Sequence, residues 1–109
     1  MATYSEIVLE QGSTFTANVT LINNLNQYIN LSGYSANSQM RKSYASNTAY
    51  DFTVSVLDSA NGLLAISMTA NQTANIKSGR YVYDVIIHDV NTKTRVVEGI
   101  VTVLPSVTR

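Results

Sequence analysis

Apolar and polar side chains alternate one by one over most of this chain. The pattern is clearest across Lys77-Ser-Gly-Arg-Tyr-Val-Tyr-Asp-Val-Ile-Ile-His-Asp89. A period of two puts successive side chains on opposite faces of a strand, so Tyr81, Tyr83, Val85 and Ile87 share one face and Val82, Asp84, Ile86 and His88 the other. Helical spacing is nearly absent, which leaves little room for anything but an all-β domain. Gly79 delivers the chain into this stretch, which reads as the central strand against which the other segments register.

The remaining strands follow from the same pattern. Ile7 and Leu9 alternate with Glu6, Val8 and Glu10. After a turn at Gln11-Gly12-Ser13, Phe15, Ala17, Val19 and Leu21 alternate with threonines and Asn18. Asn23-Asn24-Leu25-Asn26 is a turn cluster, and 28–31 a short extended piece. Ala36, Ser38 and Met40 share a face of a strand with small inward side chains, and 42–49 reads as an exposed crossing loop. Phe52, Val54 and Val56 lead to Asn61-Gly62, a hairpin signal, and Leu64, Ile66 and Met68 return. Thr73 is the expected N-cap of one short helical turn that plugs the core with Ile76. Val97, Gly99, Val101 and Val103 alternate with Val96, Glu98, Ile100 and Thr102 until Pro105 ends pairing. About seven antiparallel strands with turn signals at this spacing predict one immunoglobulin-like β-sandwich over residues 1–109.

In such domains a tyrosine at the start of strand F bonds backwards to the E–F connection. Gly79, Tyr81 and Tyr83 are the candidates for this structural corner. Tyr81 would supply the hydroxyl, and Tyr83 stands where an antibody domain has a disulfide cysteine. The alternative is that both are plain core aromatics.

Composition excludes several functions. The 109 residues include no cysteine, so neither a disulfide framework nor a thiolate metal site is available. A net charge of +0 gives no electrostatic footprint for nucleic acid or an anionic membrane. Charged residues are only 13%, and Asn, Ser and Thr make up about a third of the chain. A surface solubilised by uncharged groups does little to repel a neighbouring subunit, which suits packing in an assembly. The first residues carry no basic segment followed by a long apolar run, so cytoplasmic synthesis without a leader is expected.

Catalytic constellations are not evident. His88 is the one histidine, and Asp84, on the same face, is about 13 Å along the strand at ~3.3 Å per residue. The adopted reading is a solvated surface histidine, and the chain is expected to be no enzyme and to carry no cofactor. Asp89-Val-Asn-Thr-Lys93 mimics the start of a calcium loop but puts a cation at the fifth position, so it reads as a hairpin turn. Three Asn-x-Ser/Thr triplets, at Asn18, Asn30 and Asn71, follow from the abundance of those residues. Arg41, Lys42 and Tyr44 are too few for a nucleic-acid surface. Tyr4, Tyr28, Tyr34, Tyr44 and Tyr50 suggest a carbohydrate platform, unless several cap the core.

One feature departs from the ordinary. If the central and last strands pair as a hairpin, Val82, Ile86, Val96 and Ile100 form a branched apolar patch on an outer face. Asp84 and Glu98 interrupt it, and Arg80 and Arg95 border it. Such a patch marks a protein–protein contact, unless a loop or the N-terminal segment covers it.

Several short stretches, in order and spacing, carry a family resemblance. They are Glu10-Gln-Gly-Ser-Thr-Phe15, Leu31-Ser-Gly-Tyr34, Gln39-Met-Arg41, Asn61-Gly62, Gly79-Arg-Tyr-Val-Tyr-Asp84, Arg95-Val-Val-Glu-Gly99 and Pro105-Ser-Val-Thr-Arg109. With them the chain resembles small immunoglobulin-like structural proteins of tailed bacteriophages, of the cyanophage type. It is also similar to the N-terminal domain of siphophage baseplate upper proteins, which continue into a longer C-terminal region. The resemblance implies a virion component, assembled in the host cytoplasm, in capsid decoration, neck or baseplate. Its partners would be other virion proteins or copies of itself, with no nucleic acid, membrane or small-molecule substrate. A module binding host-surface glycans or proteins through Tyr44 and Tyr50 is the alternative.

Overall fold

Residues Gly79–His88 form one ten-residue strand whose inward side chains, Tyr81, Tyr83, Val85 and Ile87, expose 5% or less, while the intervening side chains are half-buried or exposed. The structure, a computed structural model, describes residues 3–22, 25 and 27–107. In chain order its strands are β1 (Thr3–Tyr4), β2 (Ile7–Glu10), β3 (Phe15–Thr20), β4 (Ser35–Arg41), β5 (Ala49–Asp58), β6 (Leu63–Met68), β7 (Gly79–His88) and β8 (Lys93–Leu104). One short helix, α1 (Ala70–Ala74), and a 3-10 turn, Ser59–Asn61, complete the described elements. Of the expected turn at 23–26, only Leu25 lies within the described residues.

The strands hydrogen-bond in the order β1-β8-β7-β4-β5-β6-β3, with β2 also on β8. β5 divides this sheet into two layers. Its first part, Ala49–Phe52, pairs with β4, and its second part, Thr53–Asp58, pairs with β6. The chain thereby passes from one layer to the other within a single strand. β7 lies in the larger layer between β4 and β8 and is antiparallel to both. Leu9, Met40, Leu64, Ile66, Ile76, Val85, Val97, Val101 and Val103 form the interior, each at most 2% exposed. Complete burial of such side chains contributes roughly 1.5–3 kcal/mol apiece before the entropy of ordering is set against it. The fold is all-β, a two-layer β-sandwich.

Three local features differ from the sequence reading. The described strands number eight, and they are not all antiparallel. β1 and β2 run parallel to β8, with Thr3 opposite Val97 and Ile7 opposite Val101. A parallel pair needs a long crossover, and here nearly the whole domain supplies it. Alternation along one strand carries no information about the direction of its neighbour.

The helix cap is Thr69, not Thr73. Thr69 Oγ1 accepts from the Gln72 amide at 3.2 Å, and Gln72 Oε1 accepts from the Thr69 amide at 2.8 Å. This is a Thr-x-x-Gln capping box, and it satisfies two amides that helix geometry leaves orphaned. Thr73, inside the helix and fully buried, donates its hydroxyl to the Ser13 carbonyl at 2.8 Å and so ties α1 to the turn before β3.

The third difference lies in β8. The ladder with β7 shifts between Val85 and Ile86, which pair with Val97 and Arg95 respectively. Val96 is therefore the extra residue of a bulge, 8% exposed and packed in the core cluster. It leaves the outer face on which strict alternation had placed it, because a bulge breaks the period of two for the residue it inserts.

Candidate functional site

The outer face of the β4–β7–β8 layer is the surface that the sequence points to. β7 contributes Val82, Asp84, Ile86 and His88, and β4 contributes Asn37, Gln39 and Arg41. Of the expected patch, Val82 and Ile100 are directly opposite each other, and both are half-buried. Ile86 lies four residues along β7 with Arg95 as its partner. Between them Asp84 faces Glu98, and Arg95 closes over both carboxylates, with Nε 3.3 Å from Asp84 and Nη1 3.3 Å from Glu98. The apolar surface is therefore three residues, Val82, Ile86 and Ile100, divided by an ion-paired bar.

Beside Ile86 the face sinks into an open trough of about 480 Å³ walled by Asn37, Gln39, Asp51, Asp84 and Lys93. Two of its polar walls are bonded to each other, and a neighbouring cation joins them. Gln39 donates to Asp51 at 2.7 Å, and Arg41 donates to Gln39 at 3.3 Å. A smaller hollow of about 250 Å³ adjoins it under Tyr44, floored by Val82 and Ile86. Tyr44 is 69% exposed on the loop between β4 and β5. The arrangement offers apolar floor, hydrogen-bonding walls and one aromatic flap, all of them recognition elements.

The residues weighed for chemistry are occupied locally. His88 Nε2 lies 3.2 Å from Asn37 Nδ2, and Asp84 is engaged by Arg95. Asp89 Oδ1 accepts from the amides of Asn91 and Thr92 at 2.8 and 2.7 Å, the geometry of an Asx turn. Those bonds hold the Asp89 carboxyl below its usual range. Among the described residues no three His, Asp or Glu side chains gather as a metal site requires. Arg41 also donates to the Ser46 carbonyl, and Lys42 Nζ lies 4.9 Å above the Tyr81 ring, so both cations serve the fold. Of the tyrosines, Tyr4, Tyr28 and Tyr44 are exposed, while Tyr34 and Tyr50 pack against the core.

The corner is present. Tyr81 Oη donates to the Lys77 carbonyl at 2.8 Å, and the Tyr50 ring meets Tyr81 edge-on at 6.1 Å. Gly79 enters this turn at φ +141°, a conformation that a side chain strains. Burial pushes the Tyr81 hydroxyl above its ordinary pKa, with Tyr50 adding to the effect. Tyr81→Phe is expected to cost about 1–2 kcal/mol, because it removes the hydrogen bond and leaves a carbonyl without its donor. Urea denaturation measures it, and an unchanged midpoint would mean that the bond contributes nothing.

Tyr83 does something the sequence reading missed. Its hydroxyl donates 2.8 Å to the carbonyl of Ser5, which joins β1 to β2, while the Ser5 amide donates to the Glu98 carbonyl at 2.9 Å. Gly99, opposite Tyr83 in the ladder, leaves the space that Ser5 fills, and a Cβ there would overlap the Ser5 carbonyl. Burial raises the Tyr83 pKa, partly offset by the Ser5 bond. The available signal was Gly99 itself, the lone glycine inside an alternating strand, where glycine often marks close backbone approach.

No protein-family model matches the chain, and no curated protein matches it. Among solved structures it is similar to InlP of Listeria monocytogenes, at 14% identity and a TM-score of 0.49 over 94% of this chain and 28% of that one. It is also similar to a family 123 glycoside hydrolase from Clostridium perfringens, at 11% identity and a TM-score of 0.41 over 97% of this chain and 23% of that one. The chain thus spans about a quarter of the length of each.

Proposed function

We propose that this chain is a non-enzymatic interaction module of a phage particle, docking onto other virion proteins through the outer face of β4, β7 and β8. The observation that carries the docking surface is the opposed pair Val82 and Ile100, with Ile86 beyond the Asp84–Arg95–Glu98 bar. Apolar anchors set among charges that pair with one another give a contact both affinity and register. The virion setting rests on the resemblance of the ordered short stretches to those of phage structural proteins. The low share of charged residues supports life in an assembly.

Val82→Asp combined with Ile100→Lys tests this reading. The two positions face each other, so the new charges pair across the strands and the sandwich keeps its fold. In particles grown with the double variant as the sole copy, incorporation is expected to fall at least tenfold, about 1.4 kcal/mol or more. Normal incorporation would overturn the docking face.

A second reading, a glycan- or protein-binding module for the host surface, is favoured by the polar trough and by exposed Tyr44 above the adjoining hollow. It predicts that Tyr44→Ala abolishes host-surface binding while incorporation into particles stays intact.

A further inference from the structure

The charged residues are unevenly placed. No Asp, Glu, Lys or Arg occurs between Glu10 and Arg41, thirty consecutive positions of the chain. β3 lies inside this interval and ends the strand order, with β6 as its one partner among the described strands. The layer it belongs to shares this character as far as Asp58 at the end of β5. Across the outer face, Thr16, Ser67 and Thr53 stand in one row and Asn18, Ala65 and Ser55 in the next. The larger layer, by contrast, carries Arg41, Asp51, Asp84, Arg95 and Glu98.

A strand edge presents unpaired backbone groups, and soluble domains guard it with charge, proline or a bulge. β2, at the other edge, is flanked by Glu6 and ends in Glu10, and Pro105 follows its partner β8. β3 has none of these guards. Phe15-Thr-Ala-Asn-Val-Thr20 is six residues long, contains no proline or charge, and pairs with β6 without a register shift.

We infer that β3 pairs edge to edge with β3 of a second copy of this chain, giving a two-fold dimer with a continuous β5-β6-β3 sheet across both. A second copy is the occupant because a symmetric edge meets itself. Two copies bring the same side chains onto one short ladder, where any charge would be doubled, and this edge carries none. Side chains must keep to their own faces, so the two-fold falls on a residue and not between residues. With the axis at Ala17, Phe15 faces Val19 of the other copy on the core side, and Thr16 faces Asn18 on the outer side. Aromatic–β-branched and hydroxyl–amide pairs are favourable across strands.

Sedimentation equilibrium of the purified chain at about 100 µM, above the µM range in which small interfaces dissociate, reads this directly. Twice the 11.9 kDa chain mass is expected. Thr16→Lys and Asn18→Lys, at exposed positions, should each weaken the dimer at least tenfold, while Val82→Asp with Ile100→Lys leaves it unchanged. A monomer from the unaltered chain, or a dimer indifferent to both lysines, would overturn the proposal. A polydisperse ladder, as β3-to-β2 pairing would produce, would overturn it as well. If a lysine variant loses its fold, an oxidised equimolar mixture of Thr16→Cys and Asn18→Cys chains decides, since the chain has no cysteine of its own. A cross-linked dimer supports the pairing, and monomer alone refutes it. None of these readouts depends on the docking face of the other layer.

Discussion

Val96→Asp is expected to destabilise the domain severely, whereas a charge at Ile100, four residues away on the same strand, is expected to be tolerated. The two residues look alike in sequence, each a branched side chain on the same phase of β8. The bulge separates them: Val96 packs in the core cluster at 8% exposure, whereas Ile100 is half-buried on the outer face. A carboxylate at position 96 must either stay ionised in apolar surroundings or bind a proton. Either course costs several kcal/mol, against a total stability of about 5–15 kcal/mol for a domain of this size. Loss of about 4 kcal/mol would lower the melting temperature by roughly 20 °C. Circular dichroism melts of Val96→Asp, Ile100→Lys and the parent check this. Equal melting temperatures for the first two would place Val96 outside the core.

Gly99→Val is the other large effect. Ser5 lies where the new side chain would stand, so the β1–β2 segment must move off the edge of β8 or the ladder must open. Moving it exposes Ile7 and Leu9, worth roughly 1.5–3 kcal/mol each, and leaves the Tyr83 hydroxyl without its acceptor. A loss of about 4 kcal/mol is expected, with new protease cleavage before Gln11 as its signature. A Gly99→Val chain with the parent's urea midpoint and protease resistance would show that the segment does not depend on that space.

What the sequence made legible was whatever a period of two can carry. β7, β6 and β3 appear in it nearly residue for residue, and the inward set of β7 is as alternation predicts. The tyrosine corner was legible because its hydroxyl partner is only four residues away. The bulge at Val96 was not, because an inserted residue is visible only against the partner strand's register. The parallel docking of β1 and β2 was hidden for a similar reason: Tyr83 and Ser5 are 78 positions apart. The outer face was half legible. Val82, Ile86 and Ile100 were placed on it, but Val96 was wrongly counted with them, and the Arg95 bar that divides them depends on which side chains the bulge brings side by side.

Residue-resolved amide hydrogen exchange measures the central claim most directly, that β7 is the spine paired on both edges. Amides of 81–87 should exchange slowest, at rates set by global unfolding, with neighbouring β4 close behind and the β1–β2 segment opening earlier. Rapid exchange through 81–87, or a continuous protected block with helical spacing anywhere outside 70–74, would contradict the account.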